Sequence, residues 1–136
     1  MEILKNFLIL FLLLTPLISY KQHPERNEKM TDFISTGSTY WIPDEEIQIL
    51  EKNATNGDKN SAFKLYQYHM FVSLDQDLEF KWLEIAAKNG HPIAQSNLAD
   101  LFFTQGNKEK AIFWAKKAYR NGAKLPDELK ILININ

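Results

Sequence analysis

The chain closes its helices at a nearly fixed interval. Asn56-Gly57, Asn89-Gly90 and Asn121-Gly122 each follow an apolar-periodic segment, and their glycines succeed one another at intervals of 33 and 32 residues. A glycine past the end of an amphipathic segment supplies the left-handed backbone that stops a helix, because it has no Cβ to clash there. The stretch Trp82–Ala99 shows the unit best. Trp82, Leu83, Ile85, Ala86 and Ala87 make an apolar face at helical spacing, with Glu84 and Lys88 turned to water. Asn89 and Gly90 are expected to share the left-handed closure. Pro92 suits the first turn of the next helix, where its missing N–H has no intrahelical partner to lose. Ala94, Leu98 and Ala99 then give that helix a small-residue face, so two helix axes can approach closely. Each such hairpin leaves an apolar face that its neighbour must cover, which predicts a stack with capping helices at both ends.

From Pro43 the pattern is helical to the end. Pro43-Asp44-Glu45-Glu46 opens a first helix, with acids at the positive end of its dipole and Ile47, Ile49, Leu50 and Ala54 as apolar positions. Ser61–Phe71 is the second, with Ala62, Leu65, Tyr66, His69 and Met70 near one face. Asp75 or Asp77 caps a third that runs through Ala87. The fourth spans Pro92–Phe103 and ends near Gly106, and the fifth is Lys108–Arg120, with Ala111, Trp114, Ala115, Ala118 and Tyr119 inward. Pro126 opens a short last helix, and the β-branched tail Ile131–Asn136 is compatible with helix, fraying or pairing. A shift of 32 residues lays Trp82 on Trp114, Ala86 on Ala118, Ala62 on Ala94 and Met70 on Phe102. The expected fold class is therefore all-α, a short α-solenoid of antiparallel helix pairs with about two full repeats.

The N-terminus has a different character. Lys5 precedes the unbroken apolar run Phe7–Leu14, and Thr15-Pro16-Leu17-Ile18-Ser19 breaks it. A short basic region, an apolar core and a helix breaker before a small residue predict a signal peptide over residues 1–19, cleaved after Ser19, and hence a periplasmic or secreted protein. The alternative is an uncleaved inner-membrane anchor over Ile3–Tyr20, the one route to membrane contact. Residues 20–42 then form a polar tether, Tyr20–Met30, and an aromatic arm. Phe33, Ile34, Tyr40, Trp41 and Ile42 flank a Ser-Thr-Gly-Ser-Thr loop, and so much apolar surface predicts an extended arm packed on the first helix. Residues 43–136 are the repeat domain.

Here the residues carry a family resemblance. The run Trp82-Leu83-Glu84-Ile85-Ala86-Ala87-Lys88-Asn89-Gly90-His91-Pro92-Ile93-Ala94-Gln95 resembles the Sel-one-like repeat, a branch of the tetratricopeptide-repeat superfamily, whose period of ~34 residues is close to this one. The family's run is W-L-x-x-A-A-x-x-G-x-x-x-A. The resemblance covers roughly Ile47–Pro126, strongly at Trp82–Ala99 and more weakly at Ile47–Gly57. The chain departs from the pattern at Thr104–Asn107, where the glycine-rich loop is missing, and at Val72-Ser73-Leu74, which replaces a Gly-containing turn. What the resemblance implies is protein binding in a concave groove. Small exported members of this family include immunity proteins that block secreted lipase-type toxins, as well as envelope assembly factors.

Charge and motif content narrow the chemistry. Sixteen basic and 17 acidic residues give a net charge of −1, no electrostatic footprint for nucleic acid. With no cysteine there are no disulfides, thiolate metal sites or cysteine nucleophiles. No phosphate loop, His-x-x-x-His pair or nucleophile elbow is present, so neither an enzyme nor a cofactor or metal is expected. His91, in a Gly-His-Pro turn, reads as a capping or surface residue, and His69 as a satisfied, partly buried one. Asp75, Asp77 and Glu79 alternate like a calcium loop, but its sixth position is Phe80 and its twelfth Ala86, so helix capping explains them. Lys108, Lys110, Lys116, Lys117, Arg120 and Lys124 make a basic C-terminal face, either solvated surface or a contact for an anionic partner or lipid.

By the family's arrangement, the first helix of each pair lines the groove. Its outward positions are expected near Lys64, Gln67, Tyr68 and Phe71 in the first pair and near Ser96, Asp100, Phe103 and Thr104 in the second. Tyr68, Phe71 and Phe103 are aromatic anchors of the type that dominates binding energy. Lys64 and Asp100 would set orientation. The expected partner is another protein, a secreted toxin or effector; the alternative is an envelope scaffold using the same groove.

Overall fold

A computed structural model describes residues 36–135, within the compact unit Phe33–Asn136. The leader expected over residues 1–19, the tether, and Phe33 and Ile34 of the arm lie outside the described residues. The fold is all-α. After a helical turn at Thr36–Thr39 come α1 (Asp44–Thr55), α2 (Lys59–Tyr68), a π-helical turn (His69–Ser73), α3 (Gln76–Lys88), α4 (Pro92–Thr104), α5 (Lys108–Arg120) and α6 (Asp127–Leu132), with no strand among the described residues. The main packing joins helices adjacent in sequence, α1 to α2, α2 to α3, α3 to α4 and α4 to α5, with α1 also touching α3.

Four helices, α2 to α5, start where a side chain accepts an orphan backbone N–H, while α1 and α6 open on Pro43 and Pro126 with no side-chain cap. The Asp58 carboxylate accepts from the Asn60 and Ser61 amides at 3.1 and 3.2 Å, opening α2. The Ser61 hydroxyl adds a third bond, and these bonds hold the Asp58 carboxyl below the usual carboxylate range. Asp75 accepts from the Leu78 amide at 3.0 Å and Asn107 from the Lys110 amide at 3.2 Å, opening α3 and α5. His91 caps α4: its Nδ1 accepts from the Ala94 amide at 3.2 Å.

At the other end of the hairpin the two residues of Asn89-Gly90 divide the work. Gly90 alone is left-handed, at φ +90°, and the His91 amide then closes the turn by donating to the Ala86 carbonyl at 2.9 Å. Asn89 sits at φ −77°, so the expected shared left-handed closure is corrected. Its side chain works elsewhere, donating to the Ala54 carbonyl at 3.1 Å.

The core follows the small-residue stripes. Ala86, Ala94, Leu98, Ala115 and Ala118 are fully buried, and Trp82 is 1% exposed. Alanine at these crossings lets backbones approach, and Trp82 fills the larger gap. Beside Met70, which is 37% exposed, two expected core positions point outward instead. Ile49 is 59% and Tyr119 53% exposed. Each lies about 100° round its helix from a truly buried neighbour, Leu50 or Ala118, so neither shares the inward stripe.

The second helix ends earlier than its apolar periodicity predicts. With no glycine in Val72-Ser73-Leu74, the chain leaves α2 through the wide turn His69–Ser73 and puts Leu74 at φ +55°. The turn buries His69, whose Nδ1 lies 2.7 Å from the Ser73 hydroxyl while its Nε2 has no partner among the described residues, so the expected satisfied, partly buried histidine is corrected to a buried one with a single ring nitrogen paired. It also carries Phe71 onto Tyr40, with ring centroids 4.6 Å apart. The described part of the arm is therefore a helical turn stacked on this π-turn, rather than an extended segment on the first helix. Ile42 is buried and Trp41 stays exposed. At the C-terminus the tail is helical to Leu132 and then turns, with Asn134 at φ +58°.

Candidate functional site: a cleft between α2, α3 and α4

Where the first helices of the two hairpins meet α3, they enclose a cleft of about 370 Å³ lined by Tyr66, Met70, Glu79, Leu83, Asn97, Asp100, Leu101 and Thr104. Tyr66 comes from the last turn of α2 and Met70 from the π-turn just beyond it. Glu79 and Leu83 stand one turn apart on α3. Asn97, Asp100, Leu101 and Thr104 share one face of α4, at helical spacing. The inner wall is tied together across 31 residues by the Asn97 side-chain amide, which donates to the Tyr66 hydroxyl at 3.3 Å. Burial raises the Tyr66 phenol above its ordinary value, and the Glu79 charge raises it further against the lowering effect of the Asn97 bond.

Polar and apolar groups are separated within this cleft. Leu83 and Tyr66 are buried, Leu101 is half-buried and Met70 is 37% exposed, giving an apolar side. Glu79 and Asp100 supply two carboxylates, and neither has an ion-pair partner among the described residues. The Thr104 hydroxyl donates to the Leu101 carbonyl at 2.9 Å and so keeps its acceptor side open. Among the described residues no group of three or more His, Asp or Glu could hold a metal ion. The arrangement suits non-covalent recognition of a group with an apolar body and donors at its tip.

Of the eight residues expected to face a groove, the structure brings two, Asp100 and Thr104, into the cleft. Ser96 is only 7% exposed, so its outward placement is corrected; it is buried on the flank of α4 beside Ala99. Lys64 turns toward α1 and pairs with Glu46 at 2.6 Å. Phe71 is taken up by Tyr40. Tyr68 stands edge-on to His69, and Tyr68 and Phe103 pack against the core. Gln67 is half-buried. Tyr66, Met70, Glu79 and Asn97 line the cleft without having been singled out as binding residues. Met70 reads as core from its spacing, and Glu79 as part of a capping run.

No protein-family profile matches the chain, and no solved structure matches it. A curated relative does. The chain is 32% identical over 105 residues to the uncharacterized protein YibG of Escherichia coli (strain K12), an alignment covering 72% of this chain and 67% of that protein. The chain belongs to the YibG family. This YibG-family chain has a second cleft, of about 350 Å³, lined by Lys88, Asn89, Gly90, Gln95, Lys117, Arg120 and Asn121 at the C-terminal ends of α3 and α5. Its charges are partly engaged. Lys88 pairs with Glu84 at 3.0 Å, Arg120 Nε donates to the Lys116 carbonyl at 3.2 Å, and the Lys117 ammonium lies 4.8 Å from the Phe113 ring centre. Among the described residues no helix is long and apolar enough to cross a membrane.

Proposed function

We propose that this chain is a protein-binding module of the Sel-one-like branch of the tetratricopeptide superfamily, a short solenoid that works in the periplasm. Its partner in this reading is a secreted toxin of the lipase class, which it binds one-to-one and inhibits as an immunity protein. The observation that carries the binding reading is the cleft between α2, α3 and α4. Three helices contribute to it, two carboxylates in it lack ion-pair partners, and its apolar side includes the exposed Met70. A fold that needed these groups for itself would have engaged them, as it engages Lys64 with Glu46 and Phe71 with Tyr40. The toxin-specific part rests on the resemblance at Trp82–Ala99, and the compartment on the Lys5, Phe7–Leu14, Ser19 pattern.

The test is survival of cells that receive a periplasmically directed copy of the product of the adjacent gene, with and without this protein. The expected result is killing without it and survival with it, together with a one-to-one complex in solution. A harmless gene product, or equal killing in both cases, removes the immunity reading and leaves an envelope scaffold as the better account. Fractionation with N-terminal sequencing checks the compartment: a periplasmic chain beginning at Tyr20 is expected, and an intact cytosolic chain overturns export.

A further inference from the structure

Helices gather partial negative charge at their C-terminal ends, roughly half an elementary charge each, and a basic residue in the last turn offsets it. Among the six helices described, four follow that rule: Lys52 ends α1, Lys88 ends α3, Lys117 and Arg120 end α5, and Lys130 ends α6. The last turns of α2 and α4 contain no basic residue. Of the two, only α4 opens its C-terminal end on the cleft, through Leu101 and Thr104; α2 runs on into the π-turn, its Tyr66 carbonyl taking the His69 amide, and lends Tyr66 and Met70 to the wall. Glu79 and Asp100 add two formal charges to the same space. Glu79 lies in the first turn of α3, where that helix end favours an acid, but Asp100 stands one turn from the negative end of α4. One uncompensated helix end and two carboxylates without ion-pair partners among the described residues thus converge on one apolar-walled cavity. The second cleft lacks this property, since its lysines and arginine sit in the last turns of α3 and α5 and offset those helix ends themselves.

We propose that the cleft receives an arginine side chain of the partner protein, an inference that rests on the protein-binding reading above. A guanidinium is planar and weakly hydrated, so its faces can lie on Met70, Leu83 and Leu101 while its edge N–H groups reach carboxylates on two different helices. An ammonium is a strongly hydrated point charge and matches the apolar wall less well. The volume agrees, since about 370 Å³ is near the low end of the ~300–1,000 Å³ range of ligand sites and suits one side chain better than a length of peptide.

The test uses the full-length, isotope-labelled chain and three small probes: N-acetyl-arginine amide, its citrulline analogue, which is isosteric and uncharged, and N-acetyl-lysine amide. The arginine probe should give saturable NMR shifts at Leu83, Asp100 and Leu101 that weaken with salt. Its affinity should exceed that of the citrulline and lysine probes at least tenfold. Glu79→Gln and Asp100→Asn should each lose at least tenfold, Asp100→Asn with no fall in melting temperature and Glu79→Gln with only the small fall that losing an acid from the first turn of α3 brings. Absence of shifts at the cleft, shifts centred on another surface, or equal binding by citrulline or lysine overturns the proposal. The doubly substituted variant separates this inference from the reading it rests on. If it binds the toxin as tightly as the parent does, the arginine proposal falls while the immunity reading stands. If the parent forms no complex with the toxin, the immunity reading falls and the probe results alone decide the cleft.

Discussion

The side chain of Asn89 donates to the carbonyl of Ala54 at 3.1 Å, across 35 residues of chain. One repeat later the same tie is made through an intermediary: Asn121 donates to Gln95 Oε1 at 2.9 Å, and Gln95 Nε2 donates to the Ala87 carbonyl at 3.0 Å. Ala54 and Ala87 are equivalent positions near the ends of α1 and α3, as are Asn89 and Asn121 near the ends of α3 and α5. The helix-end asparagine is thus a fastener between successive hairpins. Gln95, only 2% exposed, is buried because both of its polar atoms are satisfied there.

Gln95→Leu keeps the apolar volume but removes both side-chain bonds, leaving the Ala87 carbonyl with the Gly90 amide alone and the exposed Asn121 amide to solvent. It should cost about 0.5–1.5 kcal/mol for each bond lost, read in urea unfolding. Asn121→Ala should cost less, and the two changes combined should cost less than their sum, because they break the same chain of bonds. Strict additivity in a double-mutant cycle would show that the bonds act independently.

Ala86 and Ala118, one repeat apart, are both fully buried at helix crossings. Ala86→Asp puts a carboxylate where no partner can reach it, and should lower stability by more than about 4 kcal/mol, enough to unfold a marginal domain. A circular dichroism melt matching the parent's would contradict this placement.

Leu74 is 72% exposed and holds φ +55°, a conformation that costs an ordinary side chain about 1–2 kcal/mol. Leu74→Asn removes an exposed apolar side chain and supplies a residue that tolerates the left-handed region. The melting temperature should rise by a few degrees, about 4–8 °C per kcal/mol recovered. A fall would mean that Leu74 makes a contact worth more than the strain.

Acid should weaken the domain before its carboxylates titrate. Burial lowers the His69 pKa, opposed by the Asp75 and Glu51 charges and helped by Lys81; burial and Lys59 lower that of His91. Both folded values lie below the unfolded value of about 6.5, so the unfolded chain binds more protons in this range. Stability is fully present above about 6.5 and is lost as pH falls through the folded values. Protonating His91 also removes the Nδ1 lone pair that caps α4. Unfolding midpoints at pH 7.5 and 5 should show the loss, and His91→Asn, which keeps a cap acceptor without titrating, should reduce it. Unchanged midpoints would contradict the histidine environments described here.

Helix-forming signals in this chain are local, and the helices α1 to α6 are legible for that reason. The bounds expected for the fifth helix, Lys108–Arg120, are those observed. Where a side chain acts at a distance, the sequence is silent: nothing near Asn89 says that it reaches Ala54. The π-turn at His69–Ser73 escapes because its residues keep helical spacing while the backbone widens. Of the eight residues that line the cleft, two were expected to face a groove. Asp100 and Thr104 follow from the hairpin pattern, but Glu79 comes from the second helix of its pair, and Met70 looks like core until the π-turn swings it outward. The absence of a basic residue at the ends of α2 and α4 was readable all along. Tyr68 and Phe103 teach the opposite lesson. Their contacts with the core mean that Tyr68→Ala with Phe103→Ala lowers stability as well as any binding, so the cleaner binding test is Glu79→Gln with Asp100→Asn.

The row of helices joined to their sequence neighbours sets how this chain reaches its native state. Three-residue connections such as Gln105-Gly106-Asn107 bring α4 against α5 with little loop entropy to overcome. Helical domains dominated by such short-range closures fold in about microseconds to milliseconds. Each hairpin can form soon after its own residues are released into solvent, and its apolar face is then covered by the next helix to arrive.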